Sequence, residues 1–212
     1  MPRRSRPERR RRSTRAERRV ARKPAPYRPR RLILRDGREV TLRAIAESDA
    51  PAIQQAFDRL SADSRYNRFL HHKKQLSPEA LDRGVHPMPG QAFAFVAAVP
   101  RPGGVEIVGA AQYVRAAGDD ASTCEFAITL AEDWRGSGLA KQLLASLLRR
   151  ARRDGYAVME GLVLADNAPM LALARKLGFV QKPPSEDSTV VRVRRLLQPP
   201  LPAPSPAVPQ RP

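Results

Sequence analysis

Residues 132–144 read EDWRGSGLAKQLL and join two pieces of different periodicity. Before them, CEFAITL (Cys124 to Leu130) alternates as a strand does, with Glu125, Ala127 and Thr129 on one face and Phe126 and Ile128 on the other. After them, Leu139, Leu143, Leu147 and Leu148 share one face of a helix predicted from about Gly138 to Arg153, closed by Gly155. Arg149, Arg150, Arg152 and Arg153 crowd its C-terminal end, where the helix dipole favours cations. A strand that stops, turns through Arg135, Gly136, Ser137 and Gly138 and then starts a helix presents unpaired N–H groups at the positive end of that dipole. Such a turn suits a pyrophosphate. Gly136 and Gly138 carry no Cβ to hinder a close approach and permit positive φ. The same residues also read as a tight turn and nothing more. The three-glycine dinucleotide spacing is absent, and GSGLAK lacks the Gly before Lys and the Ser or Thr after it that a P-loop needs.

Outward from this junction the pattern stays legible. Downstream, Tyr156 to Ala165 reads as a strand, and Asn167 as the cap of a helix with Met170, Leu173, Ala174 and Leu177 on one face and Gly178 at its end. Val190 to Val193 reads as a last strand. Upstream, AFAFVAAV (Ala92 to Val99) and EIVGAAQYV (Glu106 to Val114) form a hairpin about PRPGG. Earlier still come a strand over Val40 to Ile45 and a helix to about Leu60 capped by Ser48 or Asp49. A short helical piece over Ser61 to Leu70 follows, then one capped by Ser77, with Pro78 in its first turn and Gly84 closing it. Antiparallel-looking strands followed by strand–helix–strand–helix–strand predict an α/β (α+β) three-layer domain.

Composition bounds the rest. Residues 1–31 hold fourteen Arg and one Lys against Glu8 and Glu17, and almost no apolar side chain beyond Val20 and Tyr27, which predicts a disordered Arg-rich arm. Seven of the residues 198–212 are proline, which predicts a Pro-rich disordered tail and leaves 32–197 as the folded domain. Cys124 is the only cysteine, so the chain forms no internal disulfide, and no apolar run is long enough for a membrane span; the expectation is a cytoplasmic protein without a membrane partner. The arm's fifteen cations suit nonspecific contact with nucleic acid or another polyanion, and Thr14 and Glu17 have capping-box spacing, but no aromatic residues are interleaved to read single strands. Adjacent histidines, His71 and His72, do not share a helix face, and no metal site is expected.

Several motifs resemble those of the GNAT acetyltransferase superfamily, and most closely bacterial protein lysine acetyltransferase domains. They are Arg135-x-x-Gly138-x-Ala140, Asn167 with KLGF at Lys176 to Phe179, and the stretches DGREVTLRAI, SADSRYNRF, CEFAITLAEDWRGSGLA and VLADNAPMLALARKLGF. The resemblance spans about Leu32 to Phe179. It implies a GNAT-like fold whose central mixed, mostly antiparallel sheet is splayed between the strands ending near Leu130 and Ala165. It further implies acetyl-CoA as acyl donor and no metal. The pantetheine arm would meet main-chain groups of Ile128, Thr129 and Leu130. The pyrophosphate would take N–H groups from Arg135, Gly136, Ser137, Gly138, Leu139 and Ala140, and Asn167 would touch the pantetheine or a water. Asn167 reads equally as a plain N-cap, and one side chain can serve both, its oxygen capping while its amide stays free. Trp134 reads as a packing anchor.

The implied reaction is N-acetylation of an amine, a protein lysine on this resemblance, with a small-molecule amine as the alternative acceptor. The rival of another class is a non-catalytic acetyl-CoA-binding module tethered to nucleic acid by the arm. A lysine of ordinary pKa near 10.4 is neutral only about once in a few thousand at pH 7, so a base is needed. Glu125, opening an apolar strand, is the candidate general base, against a merely solvated edge carboxylate. Many superfamily members carry a tyrosine acid at the position of Ala174 here; Tyr113 or water is the candidate substitute. Cys124, without a paired His, reads as a small buried strand residue.

Overall fold

The two most apolar runs pair as the long central hairpin, β3 (Ala92–Arg101) with β4 (Gly104–Arg115), because strands covered on both faces can afford no polar alternation. The computed structural model describes residues 26–118, 120–182 and 189–197. Residues 1–25 of the Arg-rich start, including the Thr14 and Glu17 spacing, and the Pro-rich end lie outside them. Around the hairpin stand β1 (Arg30–Ile33), β2 (Glu39–Ala44), β5 (Thr123–Leu130), β6 (Val158–Leu164), β7 (Val180–Lys182) and β8 (Val190–Leu196). They form one sheet in the order β1-β2-β3-β4-β5-β6-β8-β7, antiparallel throughout except for β5 with β6.

Five helices among the described residues cover this sheet: α1 (Ala50–Asp58), α2 (Ala62–Phe69), α3 (Pro78–Val85), α4 (Leu139–Arg153) and α5 (Ala168–Lys176). The leucine face of α4 meets β4 at Gly109, where an added Cβ would lie 3.0 Å from a Leu143 methyl. Leu139, Leu143, Leu144 and Leu147 are fully buried there, in a core that α5 joins through Ala174. On the other face, Ile53 and Ala56 of α1 pack on Val96, Ala98 and Ile107. The expected three layers, helices on both faces of a mixed, mostly antiparallel sheet, are what the chain forms. No helix among the described residues is long and apolar enough to cross a membrane.

Local differences from the expectation each have a cause. The fold begins before residue 32: Arg30 and Arg31 already pair in β1, and Tyr27 sets its ring 4.5 Å from that of Phe95. Asp49 holds the N-cap position of α1 as read, but its side chain makes no bond to that helix. Its buried carboxylate accepts instead from Ala46 N–H at 2.8 Å and from Arg43 at 2.6 Å, fixing a 3-10 turn ahead of α1. Gly84 lies inside α3, which runs on to Val85 with His86 as its C-cap, whereas Ser77 caps its start as read. β7 carries only exposed residues and so no alternation to read, and β8 continues to Leu196, beyond Val193.

The feature that makes the site is the parting of β5 from β6. Their parallel ladder runs only from Thr123↔Val158 to Glu125↔Glu160, after which the strands separate. Phe126 stands at the fork. Its ring lies over Gly161 so closely that a Cβ there would be 2.5 Å from it, and its other side meets the Phe179 ring at 5.2 Å. Gly161→Ala, ordinarily a favourable change in a strand, is therefore expected to destabilise by about 1–3 kcal/mol, the cost of overpacking. Urea unfolding measures it, and an unchanged midpoint would show that the ring does not need that space.

Candidate functional site

Beyond the fork lies a cleft of about 810 Å³. Backbone direction alternates along each strand, and Ala131 N–H donates to Val108 of β4. The main-chain groups of Thr129 therefore face β4, and those of Ile128 and Leu130 face the gap. Across it, Ala165 N–H pairs toward β8, so the N–H and C=O of Leu162 face the gap from β6. The cleft is thus edged by strand backbone that the sheet leaves unpaired, which any extended amide chain could satisfy.

One end of the cleft is the glycine turn. Gly136 and Gly138 have φ of +76° and +89°, conformations in which an L side chain is strained, and Gly138 is the N-cap of α4. Ala140 and Lys141, in the first turn of α4, have no intrahelical acceptor for their N–H groups, which leaves donors at the positive helix end. Three members of the expected loop are already engaged. Arg135 N–H donates to Glu132 O at 3.2 Å. Ser137, buried, donates its hydroxyl to Trp134 O at 2.7 Å and accepts from Leu139 N–H at 3.3 Å. Leu139 points wholly into the core. Of the expected site residues, Glu125, Ile128, Thr129, Leu130, Arg135, Gly136, Gly138, Ala140 and Asn167 line the cleft, and Ser137 and Leu139 stand behind it.

The turn is braced from two directions. The β1–β2 connection lies against it: Arg35 N–H donates to Ser137 O at 3.4 Å, Arg38 donates to Asp133 O at 3.0 Å, and the Arg38 guanidinium stacks 4.0 Å from the centre of the buried Trp134 ring. That contact, together with Trp134's 5% exposure, makes Trp134 the packing anchor expected. On the other side α2 crosses the cleft, pinned at both ends. Glu132 Oε1 accepts from Ser61 N–H at 3.2 Å, Ser61 Oγ at 2.7 Å and Ser64 Oγ at 2.6 Å, while Glu132 Oε2 pairs with Arg135 at 2.7 Å. At the far end the Asn167 amide donates to Asn67 at 2.7 Å, while Asn167 Oδ1 caps α5 by accepting from Met170 N–H at 3.2 Å. The amide expected to stay free is therefore engaged.

Glu125 is the only acidic side chain lining the cleft among the described residues, and it sits half-buried on the α2 face of β5. Arg68 at the end of α2 is near enough for the Glu125 charge to be felt; burial lowers the Arg68 pKa below its ordinary value, and Glu125 opposes that shift. The lining holds no Tyr, Cys or His. Tyr113 is placed elsewhere. It is 2% exposed and donates to Asp154, and burial, then that bond, raises its pKa. Asp154 also binds the buried Arg150 at 2.6 Å, so the Tyr113 hydroxyl is already engaged in a structural network. Ala174 is fully buried, and Cys124, fully buried, has its thiol pKa raised by burial.

Sequence reasoning did not single out Arg35, Asn67, Arg68 or Glu132. Asn67 and Arg68 lie within the quoted SADSRYNRF, and Glu132 within the junction itself, but what each touches lies far away in the chain.

Comparison with known proteins places this geometry. A family profile described as an acetyltransferase (GNAT) domain matches residues 39–180. A Pseudomonas aeruginosa protein named an acetyltransferase is 39% identical over 158 residues, 74% of this chain and 84% of that one. The crystal structure of the GNAT domain of S. lividans PAT superposes with a TM-score of 0.72 at 27% identity, over 79% of this chain and 96% of that one. A putative acetyltransferase of Salmonella typhimurium, solved with its cofactor acetyl-CoA, shares the fold at a TM-score of 0.60 and 19% identity, over 79% of this chain and 98% of that one.

The Glu132 pin generates a pH prediction. Burial raises the Glu132 pKa, but hydrogen bonds from Ser64 and Ser61, with the Arg135 charge, outweigh it and hold the group below the ordinary value of 4.5. A depressed carboxylate stabilises the fold above its unfolded pKa, and that contribution is lost as pH falls through the folded value. The thermal stability of Glu132→Gln is accordingly expected to lie below that of the native chain at neutral pH and to converge on it as pH drops below about 4.5. A gap that persists unchanged in acid would remove the carboxylate as its cause.

Proposed function

The chain belongs to the GNAT acetyltransferase family, and we propose that it transfers the acetyl group of acetyl-CoA to an amine in the cleft, with Glu125 as general base. The observation that carries this reading is the fork after Glu125↔Glu160: it puts a lone carboxylate beside unpaired strand backbone and in line with a helix start built on two positive-φ glycines. These residues fit the coenzyme. Ile128, Leu130 and Leu162 would bond a pantetheine chain through main-chain groups, the turn from Gly136 to Ala140 would take the pyrophosphate, and Arg35, which lies 3.7 Å from a Cβ built on Gly138, adds charge there. When bound, acetyl-CoA supplies an acetyl carbon activated as a thioester.

The protein's part is to deliver a neutral nucleophile. Glu125 accepts a proton from the ammonium, directly or through water. The amine nitrogen then bonds to the acetyl carbon as the C–S bond breaks, and the nitrogen gives up its second proton to solvent as the amide forms. The sulfur leaves as thiolate and takes a proton from solvent, the lining holding no Tyr, Cys or His to give one. The resemblance of the motifs favours a protein lysine as acceptor. The cover that α2 lays over the cleft, pinned at Glu132 and Asn167, favours a small amine that can be enclosed. A cytoplasmic location belongs to the same reading.

Glu125→Gln is expected to bind acetyl-CoA as the native chain does and to lose about 10²–10⁴-fold in turnover, the usual share of general base catalysis, read as thiol release; undiminished turnover would take Glu125 out of the mechanism. Calorimetric titration tests the coenzyme site. Gly138→Glu, which brings a negative charge to the turn and leaves the basic arm intact, is expected to weaken acetyl-CoA binding at least about tenfold, or about 1.4 kcal/mol, while its melting curve checks folding. Native affinity in that variant would mean that the phosphates bind elsewhere.

A further inference from the structure

A second cavity, of about 590 Å³, lies on the other side of β5, between the sheet and helices α1 and α3. Its volume falls within the roughly 300–1,000 Å³ of small-ligand sites. Its walls are largely apolar, with Phe57, Leu60, Leu76, Leu81 and Ile107 among them, and no Asp or Glu contributes to them. Its basic side chains are Arg68, Lys73, Arg83 and His86, the last paired with Asp82 and Glu47 outside the cavity. Five residues, Arg68, Phe69, Ala127, Thr129 and Leu130, border both this cavity and the cleft, so the two spaces meet at the strand that carries Glu125.

Arg68 is the informative member. Its guanidinium lies 4.8 Å from the centre of the Phe69 ring, and among the described residues it makes no ion pair and donates to no acceptor. Lys73, whose ammonium is 5.1 Å from the same ring, is likewise without a carboxylate partner there. An arginine partly buried against an aromatic ring, within reach of the Glu125 charge but bonded to no carboxylate, is a ready partner for a planar carboxylate. A lysine on a protein surface would bring an uncharged stem and no anion into this space, and would leave most of it empty.

We propose that this cavity is the acceptor site and that it takes a small amine joined to an apolar body and a carboxylate, the carboxylate meeting Arg68, the apolar body filling the space between α1 and α3, and the amine facing the cleft near Glu125. The assignment rests on the amine acetylation proposed above and names its substrate class. The apolar walls supply most of the binding; the carboxylate sets the orientation, because only one end of such a molecule is attracted to the guanidinium.

The test uses the full chain saturated with CoA, so that nothing turns over, and titrates two matched pairs calorimetrically: L-phenylalanine against phenethylamine, and L-methionine against its decarboxylated amine. In at least one pair the carboxylate-bearing member is expected to bind at least about tenfold more tightly, the value of one charge-assisted hydrogen bond. Arg68→Gln should bring that ratio to about one, and Arg68→Lys should restore part of it, with melting curves as the folding check. Equal affinities within both pairs, or a ratio unmoved in Arg68→Gln, would overturn the assignment, as would a lysine peptide binding more tightly than either amino acid. Thiol release from acetyl-CoA separates the two ideas. Carboxylate-dependent binding without release would refute acetylation and keep the cavity, and release without carboxylate preference would do the reverse.

Discussion

The architecture depends on one steric relationship, the Phe126 ring lying where a side chain of residue 161 would be. A parallel pair gains by continuing, since each further residue adds ladder hydrogen bonds. Here the ladder stops at Glu125↔Glu160. The ring fills the crotch of the fork on the core side, between Gly161 and Phe179, and closes the base of the gap with apolar surface. Unpaired backbone on both strands is the cost of this arrangement, and it is tolerable because the cleft is open to water or to a ligand that can bond it. Everything the site offers follows from that gap: the exposed edge of Ile128 and Leu130, the cleft they line, and the position of Glu125 at its root.

The glycine turn is shaped locally but held from a distance. Positive φ at Gly136 and Gly138 lets the chain reverse from β5 into α4, and the buried leucines of α4 fix the direction in which the helix leaves. The turn's own hydroxyl, on Ser137, faces inward to serve Trp134 and Leu139, which in the proposed reading leaves phosphate recognition to backbone and to arginines from elsewhere. Glu132 links that turn to α2 by gathering three donors on one oxygen, so the helix that roofs the cleft is tied to the loop that ends it. Asn167 adds the far tether. An exposed carboxylate commonly contributes little; this one matters through the number of groups it orders.

The side chains around Glu125 divide the chemistry. The acid positions expected from the sequence are accounted for by packing: Tyr113 is locked to Asp154 beside Arg150, and Ala174 is core. A lining with one carboxylate and no Tyr, Cys or His suits, in the proposed reaction, a leaving group that needs no protonation before it departs, as a thiolate does. Among the cations of the lining, Arg35 stands at the turn and Arg68 at the end of α2; in the proposed reading they serve two different anions.

Local pattern determined a great deal. Alternation in CEFAITL put Glu125, Ala127 and Thr129 on one face, helical spacing marked α4 and α5, and Ser77 and Asn167 were readable as caps, because each of these depends on residues within a turn or a strand of one another. The glycine turn was legible for the same reason. The edge elements were not: β1 and β7 carry no alternation of their own and exist because a neighbouring strand offers an edge. Roles that depend on distant partners were equally silent. Asp49 sits at the cap position read for it, but Arg43 and Ala46 claim its carboxylate; Asp154 claims the Tyr113 hydroxyl; and Arg68 looked like one more cation until the sheet set it between two cavities with no carboxylate bonded to it. The sequence by itself determined which segments are strands and helices and where the backbone can turn; the tertiary structure alone decided which polar groups are already satisfied and which remain to bind, since satisfaction is a property of contacts made across the chain.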